Sequence, residues 1–212
     1  MHASTSFLIA NLDVASDIAS AGEQARSIGA RGSALFPIDR LEALYEMAFL
    51  RIFISWETFL EDTFQRCICG RLSLPTGVTL VYPPYCAFED AELAILDGSS
   101  FFGWADPIKV RDLAKRFVAG GYGGTVGGPH QQVISSNLSR LRALKSIRNF
   151  IAHKSAKAKD DFEQSALLLS GVSYAGSSPG RFLRDSTSSA STESRLQVFA
   201  REFGNLAQPI AP

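Results

Sequence analysis

Histidine is scarce in this chain, with only His2, His130 and His153. One of them stands where proton transfer is plausible chemistry. In the hexapeptide Arg148-Asn149-Phe150-Ile151-Ala152-His153, Asn149 and His153 are four residues apart and share a helix face. Arg148 is five before His153, about 140° around a helix axis. It needs its long side chain or a local irregularity to act beside the imidazole. Arginine offers a permanent planar charge with paired donors for phosphate oxygens. Histidine offers a proton donor or acceptor near neutral pH. Together the two suit a phosphodiester. The plainer alternative is a solvated Arg148, a helix-terminal Asn149 and a surface His153 beside Lys154, since Arg and His five apart arise by chance in many helices.

Other chemistries find less support. His2 lies in a terminus, and His130 follows Gly127-Gly128-Pro129 as a loop-border residue. Cys67, Cys69 and Cys86 are an odd number without framework spacing, which favours reduced thiols in a cytoplasm. No Cys/His set has zinc spacing, so neither a metal nor a cofactor is expected. At Cys67-x-Cys69, on a predicted helix end, one thiol is expected in the core and the other exposed. Residues 120–128 hold six glycines but match neither phosphate-loop pattern, because Pro129 follows where a lysine is needed. Residues 176–180 read Gly-x-Ser-x-Gly. A nucleophile elbow needs a strand before it and a helix after it, and this match lies in a Ser-rich stretch beside Pro179.

The 212 residues are 46% apolar, 20% charged and 10% aromatic, the composition of a globular protein. The longest apolar runs are broken by charges such as Arg51, so no span of a bilayer is expected. A secretion signal is not expected either, so the expected location is cytoplasmic. The net charge of zero hides an asymmetry. Residues 1–100 carry thirteen acids against six arginines, net −7, while residues 113–159 carry nine basic groups and no acid, net +9. Arg142, Lys145, Lys154 and Lys157 of that segment are the candidate phosphate contacts, provided the acidic half does not neutralise them in the fold.

The elements that must position these groups are helices. A three- and four-residue apolar rhythm predicts a first helix over 6–27, with Leu8, Leu12, Ala15, Ile18 and Ala19 inward. A loop through Gly29, Gly32 and Pro37 follows. The strongest pattern predicts a long helix over 39–69, capped by Asp39, with Phe49, Phe53, Trp56, Phe59, Leu60 and Phe64 inward. Met47 and Ile54 fall off that stripe and mark a second surface for another subunit. A short extended piece at 78–82, a short helix at 88–96 and a helix opened by Asp106-Pro107 and running to Gly120 come next. One helical pattern then runs from Gln131 to Ala152. Residues 170–192 read as a long Ser-rich loop, and a last helix covers 193–206.

The hexapeptide RNFIAH in a late helix resembles the HEPN superfamily, many of whose members are metal-independent endoribonucleases with an Arg-x(4–6)-His motif. The segment FLRIFISWETFLEDTF at 49–64, and the Trp104-Ala105-Asp106-Pro107 opening of a helix, look like the bacterial RiboL-PSP-HEPN subgroup. The resemblance covers about residues 40–160. It implies an all-α HEPN-like helical bundle with long irregular loops, one domain over 1–212. Arg148 and His153 fall on the family's catalytic pair and Asn149 on its polar companion. The resemblance adds an acid on the first long helix, here Glu57 or else Glu61. It further implies a homodimer with converging motifs, acting on RNA as a toxin or defence ribonuclease with a possible antitoxin partner. The alternatives are a non-catalytic HEPN-type module binding RNA, a nucleotide or a protein, and a helical dimerisation protein without a ligand.

Overall fold

A computed structural model describes residues 1–120, 128–187 and 191–212. The fold is all-α. Its helices are α1 (Ala3–Ser27), α2 (Ala30–Leu35), α3 (Ile38–Ile68), α4 (Phe88–Leu96), α5 (Pro107–Phe117), α6 (Gly128–Ser136), α7 (Leu138–His153), α8 (Ala156–Ser170), α9 (Pro179–Arg184) and α10 (Arg195–Ala207). The strands β1 (Val78–Leu80) and β2 (Val118–Gly120) form one antiparallel pair, with Val78 opposite Gly120 and Leu80 opposite Val118. The chain divides into two compact units. The first comprises residues 1–6, 56–142 and 206–212, and the second 7–55 and 143–205.

In the first unit Phe64 is the hub. Its ring meets Trp104, Phe117 and His130 at centroid distances of 6.0, 5.9 and 5.3 Å. Trp56 stacks on Phe59 at 5.5 Å. Asp106 caps α5 by accepting from the Ile108 N–H at 3.0 Å, with Pro107 in the first turn, as the sequence predicts. The helix was expected to reach Gly120, but it stops at Phe117 because Val118 turns extended and pairs with Leu80. Gly120 is required there: its φ is +82°, and a Cβ would stand 2.3 Å from the Gly77 carbonyl oxygen. The glycine-rich loop expected over 120–129 falls mostly on 121–127, outside the described residues.

The second unit is built on a chain of aromatic rings. Phe49 meets Phe53 and Phe199 at 6.1 and 6.2 Å, and Phe53 meets Phe203 at 5.9 Å. Phe182 contacts Phe162, Tyr174 and Phe199 at 5.0–6.1 Å. Burying such rings contributes roughly 1.5–3 kcal/mol each. The Glu23 carboxylate collects the Tyr45 hydroxyl at 3.2 Å and the Arg184 guanidinium at 2.6 Å.

Several expectations need correction. The Ser-rich loop contains α9, because Ser178 caps it, Pro179 starts it, and Phe182 and Leu183 are fully buried. Residues 188–190 of that loop lie outside the described residues. The helix expected from 131 to 152 is two helices. Asn137 interrupts it, turning its side-chain amide onto the Val133 carbonyl while its own carbonyl accepts from the Leu141 N–H. Asp39 lies in the first turn of α3 and is not its cap. A helical turn, α2, forms where a loop was expected. Ile18, expected inward, is exposed.

Candidate functional site

The motif sits on α7. Ile147 and Ile151 are buried and fix the helix rotation, which leaves Arg148 and Asn149 half-buried and His153 exposed as the final helical residue. Arg148 Nη1 donates to Asn149 Oδ1 at 3.5 Å, at the long limit for a hydrogen bond. The helix stops abruptly. Lys154 adopts φ +50°, its N–H returns to the Phe150 carbonyl at 3.0 Å, and Ser155 at once caps α8 by accepting from the Ala158 N–H. This tight corner places the imidazole in solvent.

The corner is braced from below. Phe150 stacks on Phe162 at 5.3 Å, and Lys154 Nζ lies 5.3 Å from the Phe150 ring centroid. Lys154 Nζ also pairs with Glu46 Oε2 at 2.8 Å, while Glu46 Oε1 accepts from the Gly180 N–H at 3.2 Å. Glu46 therefore joins the candidate site through Lys154, and sequence reading missed it. It lies 108 positions from Lys154, and no local pattern could pair them.

Arg148, Asn149, His153, Lys145, Lys154 and Lys157 belong to the second unit; Glu57, Glu61 and Arg142 belong to the first. Glu57 and Glu61 are both half-buried on α3. Desolvation raises the Glu61 carboxyl above its usual range; a hydrogen bond from Trp104 opposes this and nearby Glu92 adds to it. The basic segment is partly neutralised by carboxylates. Lys154 pairs with Glu46, Lys157 with Asp161 at 3.5 Å, Lys159 with Glu163 at 3.9 Å, and Arg116 with Asp97 at 2.9 Å. The pairs of Lys157, Lys159 and Arg116 lie at the surface and contribute about 0–1 kcal/mol each, so trading one for a phosphate costs little. The Lys157 side chain, 86% exposed, is the most accessible of these four cations.

The remaining candidates resolve structurally. Ser178 of the Gly-x-Ser-x-Gly match is the α9 cap, accepting from the Arg181 N–H at 2.9 Å and donating to Glu42 Oε2 at 2.5 Å. The element that precedes it is the helix α8 and not a strand. His130, expected beside a loop, is core. It is 1% exposed, and its Nε2 lies 3.1 Å from Thr63 Oγ1, whose own hydroxyl donates to the Phe59 carbonyl at 2.7 Å. That arrangement makes Nε2 the protonated nitrogen, and burial pushes the pKa down to about 3. His2 accepts from the Ser4 N–H at 3.2 Å and tethers the start of α1. Both Cys67 and Cys69 are buried, where one of the two was expected to be exposed; burial pushes the Cys67 thiol up to about 12. Among the described residues no three His, Cys, Asp or Glu side chains converge on a metal position, and no helix is long and apolar enough to cross a membrane.

Compared with family models, curated proteins and solved structures, the chain matches none.

Proposed function

We propose that this chain is a metal-independent endoribonuclease of HEPN type, with Arg148 and His153 as its catalytic pair. The observation that carries the reading is the corner after α7, where a half-buried guanidinium steadied by Asn149 and a solvent-facing imidazole end one helix. The substrate's own 2′-hydroxyl attacks the adjacent phosphorus. The 2′-O–P bond forms, the bond to the 5′-oxygen breaks, and a 2′,3′-cyclic phosphate results. His153 moves one proton, and Arg148 holds the charge that grows on the phosphoryl oxygens. Lys145, Lys154 and Lys157, in the same unit as the pair, supply phosphate contacts. No metal is needed, because the nucleophile belongs to the substrate.

A second copy supplies the complementary acid or base. In support, Phe7, Val14 and Ile18 form a stripe on α1, with Met47 and Ile54 on α3. Of these, Phe7, Met47 and Ile54 are 65, 67 and 56% exposed. Ile18, Met47 and Ile54 line an open groove of about 530 Å³ in the second unit, crossed by the Arg51–Asn11 hydrogen bond at 3.1 Å. The five apolar side chains leave on the order of 500 Å² in solvent, at the upper end of a monomer's largest patch. A standard interface takes about 800 Å² per partner. Sedimentation at micromolar concentration is expected to give a dimer that Met47→Asp dissociates; a wild-type monomer would remove the composite site.

The deciding assay is cleavage of single-stranded RNA in excess EDTA, with analysis of product ends. Cyclic phosphate ends that disappear with His153→Ala carry the proposal. RNA bound but left intact by the wild type moves the weight to the non-catalytic binding module. Growth arrest on expression of wild type, and not of His153→Ala, is the test of a toxin or defence role and of the search for an antitoxin.

A further inference from the structure

The first unit holds a pair of thiols that no function above uses. Cys69 follows the last residue of α3, and Cys86 precedes the residue that caps α4. Between them runs an irregular, proline-containing strap carrying β1. Its two ends are tied side by side. The Tyr85 N–H donates to the Ile68 carbonyl at 3.1 Å, and Cys69 and Cys86 are the next residue on each side. Cys69 Sγ points across at the Ala87 carbonyl, 3.7 Å away, next in sequence to Cys86. Arg71 Nη2 donates to the Cys86 carbonyl at 3.2 Å, and its guanidinium lies 4.4 Å from the Phe88 ring centroid, which pins the same two segments again. A Cβ on Gly70 would touch Pro84 at 3.3 Å, so the backbones pack without a spacer.

We propose that Cys69 and Cys86 form a reversible disulfide that staples the end of α3 to the start of α4. Cα separations up to about 7 Å permit a bridge without backbone movement, and the bonds of Tyr85 to Ile68, Cys69 to Ala87 and Arg71 to Cys86 draw the two segments together on both sides of the thiols. Cys86 is exposed and meets the oxidant; Cys69 is buried and resolves. With oxidised glutathione, the Cys86 thiolate attacks one sulfur, the glutathione S–S bond breaks, and one glutathione leaves as thiolate. The Cys69 thiolate then attacks the Cys86 sulfur and releases the second glutathione. The two thiol protons end on the two glutathiones, so the protein loses two electrons and the oxidant gains them. Burial raises the Cys69 thiol above its ordinary value, while Arg71 opposes that shift. Cys67 is too deeply buried to compete.

The full-length protein is incubated in glutathione redox buffers, alkylated and digested with trypsin without reduction. Residues 67–71 and 72–109 form separate peptides, so a Cys69–Cys86 bridge appears as their cross-linked sum, two hydrogens lighter. The cross-link is expected in the wild type and in Cys67→Ser, and absent from Cys69→Ser and Cys86→Ser. Closing the strap should also raise the wild-type Tm by a few degrees, with no shift for Cys86→Ser, whose exposed position tolerates the change. Three results overturn the proposal. These are a stable glutathione adduct on Cys86 as the only product, a Cys86–Cys86 link between two chains, or a cross-link that survives Cys69→Ser.

Discussion

His130 and His153 end up in opposite surroundings. His130 lies in the first turn of α6 inside the first unit, edge-on to Phe64 and hydrogen-bonded to Thr63, and its burial holds it neutral. His153 ends α7 in the second unit with its ring in solvent. The same side chain is a packing piece in one place and a ring open to water in the other. The difference teaches that counting histidines says little; what matters is whether water or substrate can reach the nitrogen when it changes charge.

The comparison breaks first on activity. His153→Ala should lower RNA cleavage by roughly 10²–10⁴-fold through lost proton transfer. Arg148→Lys should also fail badly, since an ammonium lacks the paired donors of a guanidinium. Cleavage unchanged in His153→Ala, at equal folded fraction, would leave His153 as ordinary surface.

The buried side answers to stability instead. Phe64→Ala removes the ring that meets Trp104, Phe117 and His130. It should cost about 3–5 kcal/mol by denaturant melting. A loss under about 1 kcal/mol would mean that this cluster is not the centre of the first unit.

Acid then tests the burial of His130 directly. His130 titrates at 6.5 when unfolded and about 3 when folded, so between those values the unfolded chain binds more protons. Stability from this group is complete above pH 6.5 and drains as pH falls toward 3, by at most about 1.4 kcal/mol per pH unit. Denaturant melts at pH 7.5 and 5 should show that slope in the wild type and a flatter one in His130→Gln. Equal slopes would place the acid sensitivity elsewhere.

The smallest effect lies beside His153. Lys157→Ala breaks one exposed pair with Asp161 and should change stability by less than about 1 kcal/mol. If Lys157 contacts phosphate, the same change should reduce the salt dependence of RNA binding by about one unit of slope. An unaltered slope would remove it from the interface.

Much of the helical skeleton was legible. The apolar rhythm of 39–69 predicts α3 within one residue at either end, and every ring it assigns inward is buried. Asp106-Pro107 opens α5, and 88–96 is α4. Local signals work there because caps and helix periods depend on near neighbours. α9 was not legible. Serine-rich composition concealed a six-residue helix that exists because Phe182 and Leu183 fill the second unit's core and Gly180 lets its backbone press on Glu42, where a Cβ would stand 2.2 Å from the carbonyl oxygen.

The sequence by itself determined the all-α class, the main helical faces and the presence of Arg148, Asn149 and His153 on one helix. Those depend on residue spacing along a 3.6-residue turn. Tertiary structure alone decided that His130 is sealed from water and His153 is not. It also decided that Lys154 meets Glu46 and that Ser178 caps α9 against Glu42. Burial and ion pairing join groups a hundred or more positions apart, and periodicity records which face of a helix is apolar without recording what covers it.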